Sequence, residues 1–133
     1  MKILCVDDHP IVLRGLVKDV CDIMPEAEVY NFGKPAKALE FAREHGCDVL
    51  LCEIEMYKGS GLILAQEIRK LYPRANIIFV TVCSENEHAA AVLRLHPSGY
   101  LTKPATKEQL KKELNDLRYE VPDMNLQGNA VFG

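Results

Sequence analysis

Five times along this chain a short apolar run is followed by a stretch with helical spacing, and this alternation restricts the fold more than any other feature. The runs span residues 3–6, 29–32, 48–52, 77–80 and 99–102. The third and fourth are apolar on both faces, as central strands of a parallel sheet must be, and the second is weaker. The helical stripes between them are Val12, Leu16 and Val20, then Ala38, Leu39 and Ala42, then Leu64, Ile68 and Leu71. A fourth helix is predicted from about Ser84, its N-cap, to Leu95, and a fifth carries Leu110, Leu114 and Leu117. Pro10 suits a first helical turn, and Thr106 is placed to cap the last helix with Glu108 and Gln109 in its first turn. Five βα units in series imply a doubly wound α/β fold, because right-handed crossovers between parallel strands lay helices on both faces of the sheet. In open sheets of this kind the functional crevice lies at the carboxyl ends of the strands.

The 133 residues suit one domain with one core. The domain is predicted to span 1–118. Periodicity stops near Tyr119, so 119–133 reads as a linker, or the start of a further, absent C-terminal domain, with Val131-Phe132 a small apolar remnant. No apolar run approaches a membrane span, and the N-terminus turns acidic too soon for a signal peptide. A net charge of -3 with no basic–aromatic cluster argues against nucleic-acid binding by this domain itself. The five cysteines, Cys5, Cys21, Cys47, Cys52 and Cys83, are odd in number and form no CxxC pair. They read as reduced thiols of a cytoplasmic protein, mostly buried, with Cys83 near a surface loop. The histidines His9, His45, His88 and His96 lack metal-ligand spacing, and His9 reads as solvent-facing at a helix start.

Polar residues stand at the ends of four of the five runs. Asp7 and Asp8 follow the first, Glu53 the third, Thr81 the fourth and Lys103-Pro104 the fifth. Taken singly, an acidic pair is more often a solvated loop, a threonine at a strand end carries no message, and Lys-Pro is an ordinary turn. Together, at one edge of one sheet, they form a site. Three carboxylates brought close repel one another and call for a cation. Mg²⁺, held at roughly 2.0–2.1 Å by few protein oxygens and several waters, suits such a set. Lys103 would add positive charge and Thr81 a hydroxyl for an anionic oxygen.

These segments resemble those of response-regulator receiver domains. The likeness rests on Ile3-Leu4-Cys5-Val6-Asp7-Asp8-His9-Pro10, on Asp48 to Met56, on Ile77 to Thr81 and on Gly99-Tyr100-Leu101-Thr102-Lys103-Pro104, and covers about residues 1–118. The resemblance implies a flavodoxin-like (βα)5 fold with strand order 2-1-3-4-5. It implies that Asp8 binds Mg²⁺ directly, Asp7 more indirectly, and the Glu55 backbone carbonyl as a third protein ligand. Glu53 stands where the family has the aspartate that accepts a phosphoryl group from a sensor histidine kinase, and so counts among both the phosphoryl-site and the metal-site residues. Lys103 would pair with the phosphoryl or carboxylate oxygen, with its bond to Pro104 cis. Thr81 and Tyr100 would be the switch pair, the hydroxyl following the phosphate and the ring turning inward. Cys83 and the Glu55 side chain would flank the pocket. The stretch from Asn76 to Leu117 is most similar to receivers that precede DNA-binding output domains. DNA would be reached only through such an absent domain, and a homodimer would form through the face of helix four, strand five and helix five.

Three departures from the family pattern matter. Glu53 is longer than aspartate by about one C–C bond, ~1.5 Å, and ångström misplacement of a nucleophile is costly in phosphoryl transfer. Phosphotransfer is therefore expected to be weak or absent, with the longer carboxylate reaching toward Lys103 and Thr81 as an incomplete imitation of phosphate. The sequence leaves open whether Glu53 is natural divergence or a deliberate replacement of aspartate. Tyr57 stands where proline usually follows Met56, which loosens the metal-binding loop and weakens Mg²⁺. Val82 replaces a small residue and either narrows the pocket or is an ordinary strand-end side chain. The expected role is a non-enzymatic signalling receiver, phosphorylation-deficient or phosphomimetic. One rival is a phosphorylation-independent interaction module of the same fold. The other is a Mg²⁺-dependent hydrolase, against which the short loops show neither a separate nucleophile nor a lid.

Overall fold

The computed structural model describes residues 1–82 and 88–121. Five strands, β1 (Lys2–Val6), β2 (Glu28–Phe32), β3 (Val49–Cys52), β4 (Asn76–Thr81) and β5 (Gly99–Thr102), form one parallel sheet in the order β2-β1-β3-β4-β5. The helices are α1 (Pro10–Ile23), α2 (Pro35–His45), α3 (Ser60–Leu71), α4 (Ala89–Arg94) and α5 (Lys107–Leu114). A short 3-10 turn, Tyr57–Gly59, precedes α3. This is the doubly wound (βα)5 architecture and strand order implied by the family resemblance.

The sheet separates two cores. On one side Leu4, Val6, Leu50, Cys52, Ile77 and Phe79 face Ala38 and Ala42 of α2 and Leu64, Ala65 and Ile68 of α3. On the other Ile3, Cys5, Val49, Leu51, Ile78 and Val80 face Leu13, Leu16 and Val20 of α1 and Leu110 and Leu114 of α5. Strand residues alternate between the two sides, as the twofold period of a strand requires. β1, β3 and β4 are almost fully buried because both their faces are covered.

Two inward assignments and one helix boundary need correction. Val12 is exposed and Leu13 takes its place in the core; Leu71 is exposed and Gly61 and Ala65 help fill the α3 face. In α1 the neighbour one position on replaces the assumed contact, and in α3 the buried stripe lies on Gly61, Leu64, Ala65 and Ile68 and stops before Leu71. Leu117 lies beyond α5, partly buried against the same core. The cap on Thr106 is present in full: its hydroxyl accepts from the Gln109 N–H at 3.1 Å, and the Gln109 side chain accepts from the Thr106 N–H at 2.8 Å. The predicted start of the fourth helix at Ser84, and Cys83, lie outside the described residues. The loose tail expected from Tyr119 is also corrected over its first residues. Tyr119 is held by hydrogen bonds to Asn76, and Val121 is buried at 3% exposure.

Cys5, Cys47 and Cys52 are buried free thiols, and Cys21 is exposed. Burial pushes the Cys5 thiol up to about 12, and raises Cys47 and Cys52 as well, so these three are inert packing residues. Among the described residues no helix is long and apolar enough to cross a membrane.

Candidate functional site

The sheet ladder itself delivers the site residues to one edge. The Asp7 N–H bonds Phe32 O at 3.2 Å, the Glu53 N–H bonds Val6 O at 3.1 Å, and the Lys103 N–H bonds Thr81 O at 2.8 Å. Each of these residues therefore sits one step past the end of its strand with its backbone still in register. Thr81, the last residue of β4, pairs with Thr102 across the ladder. Asp7, Asp8, Glu53, Thr81 and Lys103 thus share the carboxyl edge, as predicted.

Lys103 is the hub. Its ammonium donates to Asp7 Oδ2 at 2.5 Å and lies 2.8 Å from Glu53 Oε1. Burial alone would depress this lysine, but the hydrogen bonds and charges of Asp7 and Glu53 outweigh it and hold its pKa above the ordinary value. The Lys103–Pro104 peptide bond is cis.

Glu53 is 1% exposed and both its oxygens are engaged. Oε1 accepts from the Val82 N–H at 3.2 Å in addition to Lys103, and Oε2 accepts from the Glu55 N–H at 3.0 Å. One ammonium and two backbone amides converge on one carboxylate. Such donors suit any anion at this point, a phosphoryl group included. The expectation that Glu53 would reach Lys103 is met. Thr81 is fully buried on β4. Sequence reading missed the two backbone donors because a main-chain N–H has no residue signature.

The loop that carries Glu53 is shaped by glycine. A Cβ on Gly61 would lie 1.8 Å from the Glu53 carbonyl oxygen, so α3 approaches the site as closely as it does only with hydrogen there. The Gly-rich turn was visible in the sequence, though not what it lies against. At the departure Tyr57 the ring is largely exposed, and the next two residues adopt left-handed backbone, Lys58 at φ 55° and Gly59 at φ 68°. Val82 is exposed, with its amide in the site and its side chain outside it.

At the acidic pair, Asp7 is buried and Asp8 exposed. Asp7 Oδ1 accepts from the His9 N–H at 2.9 Å, and His9 Nδ1 lies 3.2 Å from Asp7 and 3.1 Å from Asp8. Oxygens of Asp7 and Asp8 and a ring nitrogen of His9 lie within 4.8 Å of one another. His9 is solvent-facing at the start of α1, as read from sequence, and its ring also lies against the pair, for which adjacency in Asp7-Asp8-His9 was the available signal. The donor set fits a hard cation through Asp8 and Asp7, with Glu53 already committed to nitrogen donors. The Glu55 side chain instead meets His88 at 3.3 Å. Tyr100 points its ring outward at 38% exposure, 6.1 Å from Phe79. Beside the site a cleft of about 520 Å³ runs between α1 and the β5–α5 junction, walled by Ile11, Val12, Leu16 and Val82 with Asp7 and Lys103 at its floor.

A parallel sheet of order 2-1-3-4-5 with an acidic pair, a carboxylate, a hydroxyl and a lysine at the strand ends is the arrangement of a two-component signalling receiver. Residues 3–115 match the response regulator receiver domain family, and the chain belongs to it. It is 28% identical over 131 residues to the response regulator GacA of Pseudomonas aeruginosa, a match covering 96% of this chain and 61% of that one. It is 33% identical over 112 residues to the oxygen regulatory protein NreC of Staphylococcus haemolyticus, covering 83% and 51%. The response regulator TrrA of Thermotoga maritima, solved in complex with Mg²⁺-BeF, superposes with a TM-score of 0.74 at 27% identity over 86% of this chain and 96% of that one. The chain spans about half to three-fifths of the length of the two curated relatives.

Proposed function

We propose that this receiver takes no phosphoryl group at its acceptor position, the Glu53 carboxylate occupying the donors that a phosphorylated aspartate would engage without reproducing its activated state. The observation that carries this reading is the complete engagement of the Glu53 carboxylate by Lys103, Val82 N–H and Glu55 N–H in a site closed to solvent. A phosphoryl group entering here would have to displace a carboxylate that already satisfies those donors. An in-line approach to Glu53 is also lost, because neither oxygen is free.

Between a disabled and a phosphomimetic receiver, the switch residue favours the first. The family's activated arrangement turns the aromatic ring inward, and Tyr100 here faces outward. A monoanionic carboxylate carries less charge and fewer oxygens than phosphate, so its imitation of one is incomplete.

Mg²⁺ would be held by Asp8 and Asp7 with the Glu55 carbonyl, and weakly, because Glu53 gives it no oxygen. When bound it would neutralise the acidic pair. The domain has no turnover of its own in this reading and acts in the cytoplasm. Its partners are a sensor histidine kinase, which would meet the site across the cleft beside α1, and a transcriptional output domain. A second copy would dock on the face of α4, β5 and α5, where Leu93 and Tyr100 are exposed. DNA would be reached through the output domain alone.

The test is intact mass after incubation with a small-molecule phosphodonor and Mg²⁺, for this chain and for Glu53→Asp in parallel. A phosphoryl gain by the Asp variant only supports the reading. A gain by the unaltered chain overturns it, and a gain by neither favours a phosphorylation-independent module whose pocket has lost more than its acceptor.

A further inference from the structure

Among the described residues the buried polar side chains are Asp7, Glu53, Thr81 and Asn76. The first three serve the site. Asn76 begins β4 at the opposite edge of the sheet, where the proposed function gives it nothing to do. Its amide nitrogen donates to Tyr119 O at 2.9 Å, and its amide oxygen accepts from Tyr119 N–H at 2.8 Å and from the Ser98 hydroxyl at 2.7 Å. One side chain thereby makes the paired bonds that a neighbouring strand would make to Tyr119. Ser98 in turn accepts from the Arg118 N–H at 3.1 Å, and Val121 is buried beyond.

Arg69 joins this cluster to α4. Its Nε donates to Leu95 O at 2.9 Å, and Nη2 reaches His96 O at 3.4 Å, both at the C-terminal end of α4. Its Nη1 donates to Pro73 O at 2.9 Å and Ala75 O at 2.7 Å. The same guanidinium lies 5.3 Å over the Tyr119 ring. The Leu95 and His96 carbonyls are orphans of a helix end, and a planar five-donor cation is the group able to bind them and stack on a ring at once.

We propose that Arg69, Asn76 and Ser98 form an anchoring site for the segment Arg118–Val121, coupling the placement of that segment to the C-terminal end of α4. The matched family region ends at residue 115, so the anchored segment lies just beyond it. The proposal is independent of Glu53 and of any phosphoryl chemistry. Arg69 is a positioning residue: a displacement of the α4 end pulls on the guanidinium, and through the stacked ring on that segment.

Amide hydrogen exchange on the whole chain tests this, comparing the unaltered protein with Tyr119→Ala, Ser98→Ala and Arg69→Lys. Tyr119→Ala should speed exchange at positions 118 and 119 and also at Leu95 and His96, by about 2- to 5-fold, the size of a lost surface cation–π contact. Arg69→Lys should speed both places further, since a point ammonium cannot bridge them. Ser98→Ala should loosen position 118 through its lost acceptor. Exchange that rises only at 118 and 119 in Tyr119→Ala would overturn the coupling. So would an equal rise throughout the sheet, at Leu51 and Ile78 for instance, because the contact would then be a contribution to global stability alone.

Discussion

At the scale of single residues, one lysine and one glycine hold the carboxyl edge together. Lys103 neutralises two carboxylates that are almost sealed from water. Replacing it by methionine strands both, and breaking a buried pair in this way costs roughly 3 kcal/mol. The pKa of Lys103 is raised above its ordinary 10.5. Its contribution is therefore fully present below that value and is lost as pH rises through the raised one. Urea titrations of the protein and Lys103→Met should show a stability difference that stays flat from neutral pH toward 10.5 and shrinks above. Gly61 acts by what it lacks. A Cβ there would meet the Glu53 carbonyl at 1.8 Å, so Gly61→Ala forces the loop under the acceptor position to move. The expected cost is about 1–3 kcal/mol, that of overpacking a closed core. Chemical shifts of the Glu55 and Val82 amides should change with it, while those at Tyr119 stay in place.

At the scale of elements, each helix is held by a local signal and a tertiary one in different proportion. α5 has a full capping box on Thr106 and only Leu110 and Leu114 fully buried. Its local signal is strong and its buried face short. Thr106→Ala should cost about 1 kcal/mol, read as a lower urea midpoint with an unchanged slope. α1 and α2 have no side-chain cap and start on Pro10 and Pro35. The start of α1 was legible because proline at a first helical position is a backbone signal, and Pro35 carries the same signal for α2. The inward residues were less legible. Val12 and Leu13 are both apolar neighbours, and which of them meets the sheet depends on how the helix is rotated when it docks, a quantity that only packing sets. Exposed Ile11 and Val12 on α1 are explained by the cleft they wall rather than by the core.

At the scale of the whole molecule the two ends of the sheet carry different tasks. The carboxyl edge gathers Asp7, Asp8, Glu53, Thr81 and Lys103, and the opposite edge holds Arg118–Val121 on Asn76, Ser98 and Arg69. β4 runs between them, with Asn76 at one end and Thr81 at the other. By itself the sequence determined the alternation of strands and helices, the parallel pairing that βα alternation enforces, and the residues that stand after each strand, because these depend on local periodicity and on chain connectivity, while the strand order came from the family resemblance. It also determined that the acceptor position carries glutamate. The tertiary structure alone decided that this glutamate is already satisfied by two main-chain amides, that His9 lies against the acidic pair, that Gly61 lies against the Glu53 carbonyl, and that Tyr119 is bound to Asn76 with Val121 buried beyond it. Each of these rests on backbone groups or on distances between segments far apart in the chain, which no local pattern of side chains records.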